Sequence, residues 1–115
     1  MQFKLIMALV SEEETEVVLK TAREAGATGS TVITSAHGEG LTPAKTFLGL
    51  DLESQRDIIL LLVEGHLSRR ILERIAEVGQ FDTPGTGVAF QIDIEDAVGL
   101  RSQIEKISSE IEEKI

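Results

Sequence analysis

The groups in this 115-residue chain that could do chemistry are two histidines, 20 carboxylates and two glycine-bearing loops, with no cysteine and no tyrosine. A hydrolytic or acid–base enzyme needs a nucleophile, a base and an orienting group within hydrogen-bond reach of one another. That supply is thin here. His66 opens a helical stretch, where a solvated or capping role fits it, and His37 borders the loop glycines Gly38 and Gly40. The carboxylates gather in "SEEETE" and "SSEIEEKI", at helix ends and faces where they read as solvated charge. The absence of cysteine removes disulfides, zinc–thiolate sites and a thiol nucleophile together. These residues argue against an enzyme. Neither "GEG" nor "PGTG" carries the Lys and Ser/Thr that complete a glycine-rich phosphate motif. Glycine turns nevertheless let backbone amides approach an anion closely. They also serve as plain turns, and both readings stand.

The elements that must position these loops follow from periodicity. Phe3 to Val10 is an apolar run of strand formers, and Ser11 with Glu14 forms the Ser-x-x-Glu pattern of a capping box, so a helix is expected directly after it. Val18, Ala22 and Ala25 recur at helical spacing, and Gly26 supplies the stop. "STVITSA", from Ser30 to Ala36, is β-branched enough for a second strand. Twenty-four residues, "TSAHGEGLTPAKTFLGLDLESQRD", then show no periodicity. "DIILLLVE", Asp57 to Glu64, reads as a central strand covered on at least one face. Leu67, Ile71, Ile75 and Val78, widened by Leu72 and Ala76, predict a second helix ending at Gly79. After the irregular "QFDTPGTG", Val88, Phe90, Ile92 and Ile94 alternate with Ala89, Gln91, Asp93 and Glu95 as a half-buried strand. The order is β-α-β, long loop, β-α-β, which predicts an α+β ferredoxin-like split βαβ (βαββαβ) fold. Leu100, Ile104, Ile107 and Ile111 predict a narrow seam on a terminal helix over residues 102–115.

One domain spanning 1–115 fits the length. Its core is modest, so oligomerisation is a natural supplement. A hydrophobic fraction of 42% and a charged fraction of 27% are ordinary for a folded globular chain. The net charge of −9 disfavours nucleic acid and anionic membrane surfaces. No apolar run approaches the roughly 20 residues of a membrane span, and no cleavage site follows the first apolar run, so neither membrane insertion nor a signal peptide is expected. Cytoplasmic residence is the expectation.

The stretch "GATGSTVITSAHGEG", Gly26 to Gly40, resembles the PII (nitrogen regulatory) signal-transduction proteins. Their second strand is flanked by a "G-x-T-G-x-T-V" turn and a "G-F-G" entry to the long T-loop. The order that follows is also similar to theirs: apolar third strand, second helix, glycine-rich B-loop, and "F-x-x-D-V" on the fourth strand, matched by "FQIDI" at Phe90 to Ile94. The likeness covers about residues 3–101. It implies a homotrimeric sensor with an adenine nucleotide (ATP, ADP or AMP) in clefts between subunits. The same resemblance makes residues 37–54 a T-loop that docks onto a regulated protein such as a membrane transporter or enzyme. Carried over by position, Thr31 and Val63 match residues lining the adenine site, and Gly38 and Gly40 match the T-loop base. Gly85 and Gly87 match the phosphate-cradling B-loop, Arg101 matches a phosphate-contacting Arg, and Arg56 falls near the family Lys at the T-loop's end.

The chain departs from the family pattern in its longer B-loop, its shorter T-loop, its terminal helix and three residue-level changes. Leu41 and Thr42 stand where the family has an Arg-Gln pair, Val88 ends the B-loop where the family has Lys, and the T-loop Tyr that enteric members modify is missing. Uridylylation of such a Tyr is excluded. With fewer charges to hold a triphosphate, a less charged nucleotide, another small anion and an empty cleft are alternatives. Two further classes stand beside this reading. One is a metal-binding trimer resembling the copper-tolerance proteins, for which His37 and Glu39 would supply ligands multiplied by a three-fold axis. The other is an interaction module without any ligand, working through its acidic surface and terminal helix.

Overall fold

Nine residues of alternating burial open the chain: β1 (Phe3–Ser11) turns Ile6, Ala8 and Val10 to one side, all fully buried. A computed structural model describes residues 2–34, 46–47, 50–51 and 56–99. After β1 come a single 3-10 turn (Glu12–Glu14), α1 (Thr15–Glu24) and β2 (Gly29–Ile33). Two-residue strands β3 (Thr46–Phe47) and β4 (Leu50–Asp51) pair as a small hairpin within the aperiodic segment. β5 (Arg56–Glu64), α2 (Gly65–Val78) and β6 (Gly87–Asp93) complete the described elements.

The main sheet has the order β2-β5-β1-β6, with every neighbouring pair antiparallel. β1 and β2 therefore run the same way with β5 between them, and β5 and β6 run the same way with β1 between them. Two interlocked βαβ units result, the split βαβ arrangement expected from the element order. β5 is central, as its continuous apolar run requires.

Directly opposed residues of an antiparallel pair share a face, so the register sorts the side chains. Ile6, Ala8 and Val10 of β1, Ile59, Leu61 and Val63 of β5, Val32 of β2 and Ala89 of β6 face the helices. They pack with Val18, Ala22, Ile71 and Ile75 in one core. Burying each fully enclosed Ile or Val contributes about 1.5–3 kcal/mol. The opposite face carries Leu5, Met7, Ile58, Leu60, Leu62, Val88 and Phe90, all half-buried, with Ile33 47% and Ile92 46% exposed. Among the described residues no helix covers this second face.

One local expectation is corrected, and two others gain detail. Ser11 makes no capping hydrogen bond with its side chain. It remains extended and paired with Arg56, so β1 consumes the residue that the capping box needed, and α1 begins four residues later. In β6 the alternation is real, but its small and polar members Ala89 and Gln91 face the helices, while Val88, Phe90 and Ile92 face away from them. The second helix begins at Gly65, with Ser68 Oγ donating to the Gly65 carbonyl at 2.9 Å, so His66 sits one residue inside it and is exposed. The predicted terminal helix over residues 102–115 lies outside the described residues.

Candidate functional site

The loop between α2 and β6 is built around an aromatic ring. Gly79 ends α2, and the Phe81 N–H donates to the Ala76 carbonyl at 3.0 Å, folding the chain back over the helix end. The Phe81 ring then fills the space that side chains at Gly79 and Gly87 would occupy: a Cβ on Gly87 would lie 2.5 Å from the ring and 2.9 Å from the Leu9 carbonyl oxygen. Gly87 is the first residue of β6, paired with Val10. Its lack of a side chain serves packing in this fold. Gly85 differs: its φ is +85°, which disfavours a side chain, and the space around it is open.

The rest of the loop is tied to itself and to β5. The Thr83 N–H donates to the Gln80 carbonyl at 3.0 Å and the Thr86 N–H to the Thr83 carbonyl at 3.2 Å. The Thr86 hydroxyl reaches the Gln80 and Thr83 carbonyls at 2.6 and 2.9 Å. Arg56, the first residue of β5 and only 5% exposed, donates from Nη2 to the Gly85 carbonyl at 2.8 Å and from Nη1 to the Thr86 carbonyl at 3.1 Å. The carbonyls at 80, 83, 85 and 86 thus all accept bonds from within the protein. The Gly85 N–H, on an exposed residue after Pro84, makes no backbone hydrogen bond among the described residues.

The next residue on β5 faces the helices instead. Asp57 is 6% exposed and accepts a 2.5 Å hydrogen bond from the hydroxyl of Thr15, at the start of α1. At the far end of β5, Glu64 is 6% exposed, its carboxylate 3.9 Å from the exposed His66 ring, and the Gly65 N–H donates to the Gln2 carbonyl at 2.8 Å. Lys4 pairs with Asp93 at 3.4 Å across β1 and β6.

Of the residues singled out in the sequence, Arg56, Gly85 and Gly87 come together at one end of the sheet. Thr31 is exposed on the edge strand β2, opposite Leu60 on the second face. Val63 is 1% exposed with its side chain in the core, so the side chain is closed to a ligand. Arg56 and Val63 stand seven residues apart on one strand, about 23 Å at the usual rise. Gly38, Gly40 and Arg101, like His37 and Glu39, lie outside the described residues. Among the described residues no group of three His, Asp or Glu side chains could hold a metal ion, and no helix is long and apolar enough to cross a membrane. Sequence reasoning missed Phe81 and Thr86. An aromatic residue between Gly79 and Gly87, and a hydroxyl inside "PGTG", were the available signals.

Comparison with known proteins supplies the remaining findings. The model of the nitrogen regulatory protein P-II family matches residues 3–104. Among solved structures, a PII-like signaling protein from Thermus thermophilus superposes with a TM-score of 0.60 at 22% identity, over 81% of this chain and 87% of that one. A nitrogen regulatory PII-like protein from Thiomonas intermedia, bound to ADP, AMP and acetate, gives 0.65 at 19% identity over 87% and 93% of the two chains. The same Thiomonas protein bound to ADP, AMP and bicarbonate gives 0.61 at 19% identity over 84% and 97%. Identities this low speak for the fold. A search of curated proteins finds no match.

Proposed function

The chain belongs to the nitrogen regulatory protein P-II family, and from that premise we propose that it is a homotrimeric sensor. In this reading a small effector, an adenine nucleotide or another small anion, binds in clefts between subunits, and the segment 37–54 then controls a partner protein. The observation that carries the reading is the separation of the ligand set along β5. Gly85 sits at one end, held by Arg56 at the start of β5, while Val63 stands about 23 Å from Arg56 on the same strand, farther than one AMP or ADP reaches. One chain cannot close such a site; a neighbouring copy can. The apolar second face of the sheet offers the surface on which copies would meet.

The similar Thiomonas protein was crystallised with ADP and AMP together with acetate or bicarbonate. Nucleotides of one or two phosphates suit this chain, which has Val88 at the end of its glycine loop and Leu41 and Thr42 after Gly40. AMP or ADP is accordingly the favoured effector over ATP, with Gly38, Gly40, Gly85 and Arg101 toward the phosphates and Thr31 and the Val63 main chain toward the base. The protein senses and does not catalyse.

Calorimetry with AMP, ADP, ATP, a cyclic nucleotide and bicarbonate tests this. Heat with AMP or ADP, lost in Arg101→Ala, is the expected result. Silence across the whole panel overturns the nucleotide reading.

A further inference from the structure

We propose that Arg56 is a positioning residue: it shapes the glycine loop from behind and does not itself hold the effector. The proposal rests on the nucleotide-sensor reading above, and it changes the role that the resemblance suggests for this residue. Register shows what Arg56 spans. Ser11 of β1 pairs with Arg56, and Val10 pairs with Gly87, so Thr86 is next in line across β1 from Arg56. The guanidinium therefore reaches over the end of β1 to the chain just ahead of β6, two strand spacings from its own backbone.

Two features of this contact favour positioning. A guanidinium is a planar fork that engages neighbouring acceptors in a fixed geometry, and here the two acceptors are consecutive carbonyls, Gly85 at 2.8 Å and Thr86 at 3.1 Å. Holding both fixes the intervening peptide planes. The side chain is also 95% removed from solvent by the fold itself, whereas a group that contacts an arriving anion needs an open approach. Arg56 and the Thr86 hydroxyl together turn the carbonyls at 80, 83, 85 and 86 inward. The exposed Gly85 N–H, which makes no backbone hydrogen bond among the described residues, is left as a donor, the polarity an anion requires.

The two roles predict different dependences on phosphate number. An Arg that touches phosphate contributes more as charge is added, so its loss would weaken ATP more than ADP and ADP more than AMP. An Arg that shapes the loop changes all three alike. For Arg56→Gln we expect the backbone amides of Thr83, Thr86 and Gly87 to exchange with solvent about tenfold faster in the ligand-free protein, and affinities for AMP, ADP and ATP to fall by one common factor of about ten, the scale of one or two lost hydrogen bonds. Arg56→Lys, which keeps the charge and loses the fork, should give the same pattern at smaller size. Thr86→Val, which leaves Arg56 in place and removes only the inner hydroxyl bonds, should reproduce it.

Unchanged exchange at Thr83, Thr86 and Gly87 in Arg56→Gln, or losses graded by phosphate number, overturns the proposal. If Arg56→Gln does not fold, Arg56→Lys and Thr86→Val decide between the same two patterns. Should the wild-type protein bind none of the three nucleotides, the sensor reading fails, while the exchange comparison still decides whether Arg56 holds the loop.

Discussion

At the scale of single residues, the loop from Gly79 to Gly87 separates two reasons for using glycine. Gly87 has φ in the ordinary range but no room, because the Phe81 ring and the Leu9 carbonyl already occupy the site of a Cβ. Gly85 has room but a left-handed backbone. Gly87→Ala must therefore displace Phe81 or part β6 from β1, an overpacking cost of about 1–3 kcal/mol. Gly85→Ala meets only backbone strain, about 1 kcal/mol. Urea denaturation of the two variants should rank them in that order. Effector binding should rank them the other way, since Gly85 is the exposed donor and Gly87 lies under the ring. Equal effects of both on stability would mean that the ring does not pack as described.

At the scale of elements, β5 links everything the loops need. Its first two residues point to opposite faces: Arg56 holds the loop ahead of β6, and Asp57 holds Thr15 at the start of α1. With both partners of the Asp57–Thr15 bond over 90% buried, removing the donor strands a carboxylate. Thr15→Val should cost about 1–3 kcal/mol in a denaturation midpoint, and Thr15→Ser, which keeps the hydroxyl, much less. If Val and Ser destabilise equally, the bond contributes nothing and the loss is one of shape.

These contacts also mark the limit of what the chain's letters disclose. Both helices, their glycine stops and the central place of β5 were legible, because they follow from local periodicity that the core then uses. Ser11 was misread because strand pairing with Arg56, 45 positions away, overrides a local capping pattern. The reach of Arg56 to Gly85 and Thr86 spans 29 and 30 positions, and no spacing rule records such a contact. Which face of β6 meets the helices was not legible for a similar reason: an apolar alternation shows that one face is covered, and only the register with β1 shows by what. The family resemblance assigned the glycine loop to a phosphate, where pattern reasoning left turn and anion site both open.

At the scale of the whole molecule, the decisive feature is a sheet apolar on both faces with described helices on only one. Leu60 sits in the middle of the second face, opposite Met7 of β1 and Thr31 of β2. Half-buried neighbours such as Ile58, Leu62 and Phe90 surround it with surface that a stable chain would not leave wet. Three copies meeting on that surface would bury it. Their assembly would have to do so against charge, for three chains of −9 carry −27. Apolar contact must then drive the trimer and electrostatics oppose it, so added salt should tighten the assembly by screening the repulsion. An assembly held by ion pairs would loosen instead. Sedimentation should give three times the 12.5 kDa chain mass, with a melting temperature that rises with protein concentration. Leu60→Glu places a carboxylate on the face where copies would meet and leaves the helix-side core of Ile6, Ile59, Ile71 and Ile75 untouched. It should sediment as a single chain with its helical circular dichroism retained and its nucleotide heat gone, because the proposed cleft would exist only between copies. A Leu60→Glu monomer that still binds AMP or ADP with wild-type affinity would place the whole site within one chain. A wild-type protein that already sediments at 12.5 kDa would remove the trimer altogether.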